Sequence, residues 1–356
     1  MKKLSYIDIV LILIGVVMGA GFASGREVWQ FFGVFGKTGY ISITVASVIY
    51  ICVGLMLAYI SISKNTCDYA ELISPVDNKI IKKLIETFVT LQYFMILVSM
   101  TAAGGSLLNQ QFGVHIAIGG VIIAVLVAIT VIGDFARISR VFTKIVPFLF
   151  SIVIITIILV LRTDIQGSAN LAGEYPSSLT PNPWIAGILF VAYNSIALVT
   201  VAGQNALSAK DNKNALLGSG LGVFCLCILM VLLLVCLLKD MDFSYQMDLP
   251  LLAYASRISK PLSLLFAIVL YGAIYSAAAS TLYGCTRAFA RSTKLNYIIV
   301  AVSALAFLLG LTGFKTIVEF LYPILGYIAT AVVILITINF FKIFFSGRKR
   351  EKGNVE

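Results

Sequence analysis

Met18-Gly19-Ala20-Gly21-Phe22-Ala23-Ser24-Gly25-Arg26-Glu27 interrupts the first hydrophobic segment of the chain with three glycines, a serine and two opposite charges. Each glycine weakens a helix by about 1 kcal/mol relative to alanine. Unwound backbone at membrane depth survives only where protein buries it or where it lines a wet cavity. The stretch therefore reads as a broken helix that offers backbone amides and carbonyls to a ligand.

The rest of the chain fits that setting. Of 356 residues, 60% are hydrophobic and 12% charged, which excludes a soluble globular domain and indicates an all-α polytopic membrane protein. The start Met1-Lys2-Lys3 followed by an apolar run resembles a secretory signal. No small-residue cleavage pattern ends the run, so it reads as a retained first helix. The six cysteines (Cys52, Cys67, Cys225, Cys227, Cys236, Cys285) show no ligand-like spacing beyond Cys225 and Cys227. Two cysteines at i and i+2 on a helix point apart, which argues against a disulfide framework or a zinc site.

Judged against about 20 residues per crossing, apolar segments lie near residues 6–34, 38–62, 83–109, 115–132, 141–162, 184–208, 214–238, 260–290, 296–312 and 316–345. These make ten helices. The net charge of +10 sits in the short connections between them, a pattern of membrane topology and not of nucleic-acid binding. With the N-terminus inside, nineteen of the 26 lysines and arginines fall in cytoplasmic segments and seven in outer ones. Both termini are therefore expected in the cytoplasm of a bacterial cell, with the helices in its plasma membrane.

The order of the segments repeats. Helix 1 breaks near residue 22, and helix 6 carries the polar triplet Tyr193-Asn194-Ser195 at the matching place. Each half also has a polar linker between its second and third helices, residues 63–82 and 239–259. Because five is odd, two successive sets of five helices are inverted relative to each other. The expectation is one domain over 1–356, with repeat one at about 6–162, repeat two at about 184–345 and a tail at 346–356. An inverted repeat with discontinuous first members is an architecture of secondary transporters.

The run Gly19-Ala20-Gly21-Phe22-Ala23-Ser24-Gly25-Arg26-Glu27 resembles the signature of the YkvI-type membrane proteins. These form a bacterial branch of the amino acid-polyamine-organocation superfamily. The resemblance extends over nearly the whole chain, although only this first motif is specific. It implies the LeuT-like five-plus-five fold, with helices 1 and 6 broken and access alternating around a central site.

A substrate site is expected between the two breaks, where Phe22, Ala23, Ser24 and Gly25 face Tyr193, Asn194 and Ser195. Free amides at the start of the outer half of helix 1 suit a carboxylate. Asn194 can both donate and accept, either to a ligand or to a neighbouring helix. Tyr93 and Gln92 sit in helix 3, which lines the site in this fold. Ala277, Ser280 and Thr281 share one face of helix 8. Two hydroxyls with nearby carbonyls make an oxygen shell for sodium, and the resemblance matches these three positions to a helix 8 sodium pattern. It also suggests Val17 and Ala20 as carbonyl donors. The plainer reading is that Ser280 and Thr281 bond back to their own helix.

Related transporters close an outer gate with an arginine on helix 1 and an acid on helix 10, which points to Arg26 and Glu319 here, with Glu27 as a competing neighbour. Asp8 has Arg287 or Arg291 as inner partners, or serves as an N-terminal helix acid. Lys144 marks a proton-coupled alternative in which an ammonium replaces the metal, against simple snorkelling to the interface. His115 stands alone at the outer mouth of helix 4.

No paired acids or histidine within a span support an enzyme, and no organic cofactor is expected. The expected function is sodium-coupled symport of an amino acid or similar small solute. The alternatives are proton coupling, or a receptor that keeps the fold without moving its ligand. The expected partners are that solute and the bilayer, without nucleic acid.

Overall fold

The computed structural model describes residues 3–133, 135–165, 175, 179–289 and 292–353, with backbone alone for 135–144, 288 and 347–353. The first segment is divided into α1 (Tyr6–Val17), α2 (Ala20–Ala23) and α3 (Arg26–Phe31), followed by a 3-10 stretch over Gly33–Thr38. Next come α4 (Gly39–Lys64), α5 (Tyr69–Ile73), α6 (Lys79–Phe112), α7 (Ile116–Ile132) and α8 (Phe135–Arg162). The second half holds α9 (Pro183–Ser208), α10 (Asn212–Leu237), α11 (Met241–Gln246) and α12 (Pro250–Ile258). It ends with α13 (Lys260–Thr286), α14 (Leu295–Gly310) and α15 (Phe314–Gly353). The segment expected over 260–290 thus stops early and turns into a short 3-10 helix, Arg287–Phe289.

Among the described residues seven helices are long and apolar enough to cross a bilayer, and α1, α7 and α14 are shorter apolar helices. Their ends carry the expected stop and start chemistry. Asn78, Asn182 and Asp211 accept bonds from the first free amides of α6, α9 and α10. Pro183 occupies the first turn of α9, where no amide partner is lost. Large side chains such as Ile129, Ile268 and Leu11 point outward. An apolar coat of this kind suits lipid. Inside, close helix contacts need small residues: a Cβ on Gly187 of α9 would lie 2.5 Å from the Ser42 carbonyl of α4.

Contacts pair up across the two halves. α1 packs on α10 as α9 packs on α4, and α8 packs on α13 as α15 packs on α6. Likewise α6 meets α14 and α13 meets α7. Matching α1, α4, α6, α7 and α8 with α9, α10, α13, α14 and α15 in order turns one contact of each of these pairs into the other.

One end of the bundle holds the N-terminus and the start of the C-terminal tail. Leu4 pairs with the α9–α10 turn through Leu4 N to Ser208 O at 2.8 Å and Lys210 N to Leu4 O at 2.9 Å. Ser61 reaches Gly203 O, and Lys342 reaches Pro75 O. We call this the terminal face. The opposite face is covered by α11 and α12, anchored where Lys239 donates to the carbonyls of Val160, Leu161 and Thr163 at the end of α8. Arg257 adds a pair to Asp240 at 2.8 Å.

A cavity of about 700 Å³ opens on the terminal face between α4, α5, α6 and α15. Within it Lys82 lies 2.8 Å from Asp77 and 3.3 Å from Glu71. Hydrogen bonds from Thr66 and then Lys82 hold the Glu71 carboxyl below its ordinary 4.5. The Lys82 bond and charge do the same for Asp77. Depressed carboxyl values stabilise the fold above the unfolded-state value, and the contribution disappears as pH falls through the folded-state value. The thermal midpoint should therefore fall below about pH 4.5. Lys82→Met should flatten that slope, by a small amount because the acids are wet. Identical pH profiles for the two proteins would refute the coupling.

Candidate functional site

The break in the first segment has two parts. At the end of α1, Gly19 N turns back to Val17 O at 2.7 Å, and Gly19 itself is extended. After α2, Gly25 adopts φ +83, a left-handed conformation that favours glycine. Ser24 fills the gap between α2 and α3. Its hydroxyl donates to Gly21 O at 3.0 Å and accepts from Arg26 N at 3.3 Å.

This geometry corrects the expected anion site. Ala23 N, Ser24 N and Gly25 N donate to Gly19 O, Ala20 O and Phe22 O. One further turn of helix has formed within the motif, so the amides of residues 23–25 are used internally. Phe22 is buried, and Ser24 O accepts from Leu251 N of the covering segment at 2.8 Å.

The group that does face the break is Glu27. Its Oε1 lies 2.1 Å from where a Cβ on Gly21 would stand, so the glycine makes room for the carboxylate. Glu27 is 5% exposed and makes no ion pair among the described residues. Tyr50 of α4, Tyr193 of α9 and Tyr322 of α15 lie within reach of its charge. The Tyr193 and Tyr322 rings stack at 4.4 Å, and Tyr322 shares a hydrogen bond of 2.6 Å with Ser99 of α6. Gln92 donates to Tyr193 O at 2.9 Å, which leaves its Oε1 buried without a partner. A polar nest thus sits where α2, α3, α6, α9 and α15 meet.

Tyr193 belongs to the nest, but α9 is unbroken there, contrary to the expected interruption of helix 6. Asn194 Nδ2 donates to Phe190 O and Ser195 Oγ to Val191 O, each four residues back. The polar triplet is satisfied by its own helix, and neither glycine nor proline lies within it. Tyr93 sits nearer the terminal face. Its ring approaches Gly284 of α13, where a Cβ would lie 2.9 Å away.

Of the expected cation set, Thr281 donates to Ala277 O at 2.8 Å and to Ala278 O at 3.1 Å, the back-bonded arrangement. Ser280 is exposed and shares a helix face with Ala277 and Gly284. Val17 O and Ala20 O each accept one backbone amide, which leaves each carbonyl a second lone pair. α2, which begins at Ala20, packs against α13.

Arg26 and Glu319 form no ion pair, which corrects the expected gate. Arg26 is fully buried beneath the covering segment. Its Nη1 donates to Tyr245 O at 3.1 Å and Met247 O at 3.2 Å. Asp248 and Glu319 are the acids that face it, and Lys315 approaches from α15. Asp248 is held in turn by Ser106. Residues 245–251 thus form the seal, supplied by a linker that the apolar pattern does not place.

Asp8 makes a capping box with Ser5 at the start of α1. His115 caps α7 by accepting from Ala117 N. Arg291 and the Lys144 side chain lie outside the described residues.

An all-helical bundle with a twice-interrupted first segment around a buried polar nest has the LeuT-like fold. Two solved structures share it. The inward-facing conformation of Mhp1 matches with TM-score 0.62 at 13% identity, covering 98% of this chain and 80% of that one. MhsT in complex with L-phenylalanine matches with TM-score 0.59 at 15% identity, covering 96% and 88%. In sequence, the chain resembles the uncharacterized membrane protein YkvI of Bacillus subtilis (strain 168), 24% identical over 341 residues, 93% of this chain and 95% of that protein. It also resembles the uncharacterized protein YyaD of the same organism, 23% identical over 322 residues, 89% and 91%. No family model matches.

Proposed function

We propose that this protein is a secondary active transporter of the plasma membrane that carries an amino acid or similar small organic solute, coupled to sodium. The observation that carries the reading is the double interruption of the first segment beside the Glu27 nest, in a fold shared with transporters. The exchanged contact pairs support ten crossings arranged as an inverted five-plus-five repeat. The excess of basic residues at the terminal face supports placing both termini in the cytoplasm.

Alternating access gives the seal a role. Buried Arg26 closes the outer side. The arrangement suits a molecule closed to the exterior. Sodium would take carbonyl oxygens of Val17, Ala20 and Ala277 with the hydroxyls of Ser280 and Thr281, once the Thr281 hydroxyl turns from its helix. That turn is a change of the Thr281 χ1 rotamer.

Uptake into proteoliposomes under an imposed sodium gradient tests the function, because a receptor of the same fold binds without flux. Replacing Ser280 and Thr281 together by alanine should raise the sodium concentration for half-maximal uptake about tenfold or more, since two of five oxygens are lost. Wild-type sodium dependence in the double variant would refute the metal set. Uptake that follows pH and ignores sodium would replace it with proton coupling.

A further inference from the structure

Glu27 has no part in the sodium set, in the seal or in the expected amide site. A bare carboxylate inside a membrane protein costs several kcal/mol unless a cation or a proton meets it. Its neighbour Arg26 does not. Successive helical residues point about 100° apart, and Arg26 Nη1 donates to Tyr245 O and Met247 O while Nε and Nη2 find no hydrogen-bond partner among the described residues. Among the described residues no other lysine, arginine or histidine approaches Glu27 within 4.0 Å. The carboxyl group has no ion-pair partner among the described residues, and 5% of the residue stays accessible.

The surroundings narrow the class of cation. Phe22 lies in α2, the helix against which the Glu27 carboxylate folds, and Tyr50, Tyr193 and Tyr322 lie around the acid. Aromatic faces attract ammonium groups, and the attraction grows when water is excluded. The C-terminal end of α1 also points its partial negative charge at this break. A sodium ion would need several oxygens here, but the Tyr322 hydroxyl is already bonded to Ser99. One carboxylate among aromatic rings suits an amine.

We infer that Glu27 is the ion-pair partner of a positively charged amino group on the transported solute. The amine lies against the carboxylate that Gly21 makes room for, with the rest of the solute toward the Tyr193–Tyr322 stack. The inference rests on the transporter reading and adds to it that an amino group is required of the solute.

The test uses the full-length protein purified in detergent. Thermal shift and calorimetry are run with the standard amino acids, their decarboxylated amines and their deaminated acids. The expected result is binding by members that carry the amine and none by the deaminated acids, with affinity reduced about tenfold or more in Glu27→Gln. Glu27→Asp should retain part of it. Wild-type amine affinity in Glu27→Gln, equal binding of a deaminated acid, or no binding of any amine overturns the inference. So does a Glu27→Gln variant that changes only the response to sodium chloride or to pH. If Glu27→Gln does not fold, Glu27→Asp and Gly21→Ala, which shift or displace the carboxylate, decide by the same affinities. Amine binding without flux in proteoliposomes would refute transport and leave the Glu27 site standing. Flux that survives Glu27→Gln unchanged would do the reverse.

Discussion

Alanine at position 21 is expected to leave the protein folded and to remove most of its ligand-induced thermal stabilisation. The new Cβ would stand 2.1 Å from Glu27 Oε1, 2.8 Å from Cδ and 2.9 Å from Cγ. Something must move, and the Glu27 carboxylate is the mobile end of a flexible side chain. Helix propensity favours the substitution by about 1 kcal/mol within α2, so the fold has little to lose. The site loses more, because a carboxylate displaced by an ångström or so no longer meets a ligand fixed by its neighbours. We expect affinity to fall about tenfold or more, read as a lost shift in melting temperature at fixed ligand concentration. Gly25→Ala makes the contrast. With φ +83 an alanine is strained by about 1–2 kcal/mol, and its Cβ would lie 3.3 Å from Leu237. That variant should melt earlier even without ligand. An undiminished ligand shift in Gly21→Ala would mean that the break is not where the ligand binds.

The parts of this architecture that depend on local sequence were legible, and those that depend on rotation about a helix were not. Hydrophobic length located the spans because each crossing must satisfy its own backbone. The segments expected at 38–62 and 214–238 became Gly39–Lys64 and Asn212–Leu237. Where the apolar run stopped but helix did not, the reading stopped too, and so α8 begins at Phe135 and not near 141. Gly19 and Gly25 mark the two interruptions because glycine permits the backbone they need. The polar triplet at 193–195 misled because asparagine and serine can satisfy themselves on an intact helix. Glu27 was in view from the start, but adjacency to Arg26 suggested a partner that helix geometry turns away. Its signal was the general one, an ionisable residue inside a span. Tyr322, Ser99 and Tyr50 join the site through tertiary packing, and nothing local distinguishes them from other residues of apolar helices.

Removing the Arg26 charge while keeping its bulk, as in Arg26→Met, should loosen the seal on the opposite face. Nη1 holds the Tyr245 and Met247 carbonyls, and without it the bonds from Leu251 N to Ser24 O, from Ser106 to Asp248 and between Gln110 and Leu249 remain nearby. Hydrogen bonds to a charged group contribute about 1.5–3 kcal/mol each. Losing even one such contribution should speed amide exchange in peptides covering 245–251 by about 10–150-fold if exchange proceeds through local opening. Peptides from the terminal-face end of α4 and α9, around the Ser61 to Gly203 bond, should exchange as in the wild type. Glu319→Gln separates the two accounts of the seal. An Arg26–Glu319 gate predicts that this variant opens the face as much as Arg26→Met does. The carbonyl anchors predict a much smaller change, because Glu319 makes no ion pair with Arg26. Unchanged exchange at 245–251 in Arg26→Met would show that the covering segment holds itself, through Lys239 and the Arg257–Asp240 pair, without help from the first segment.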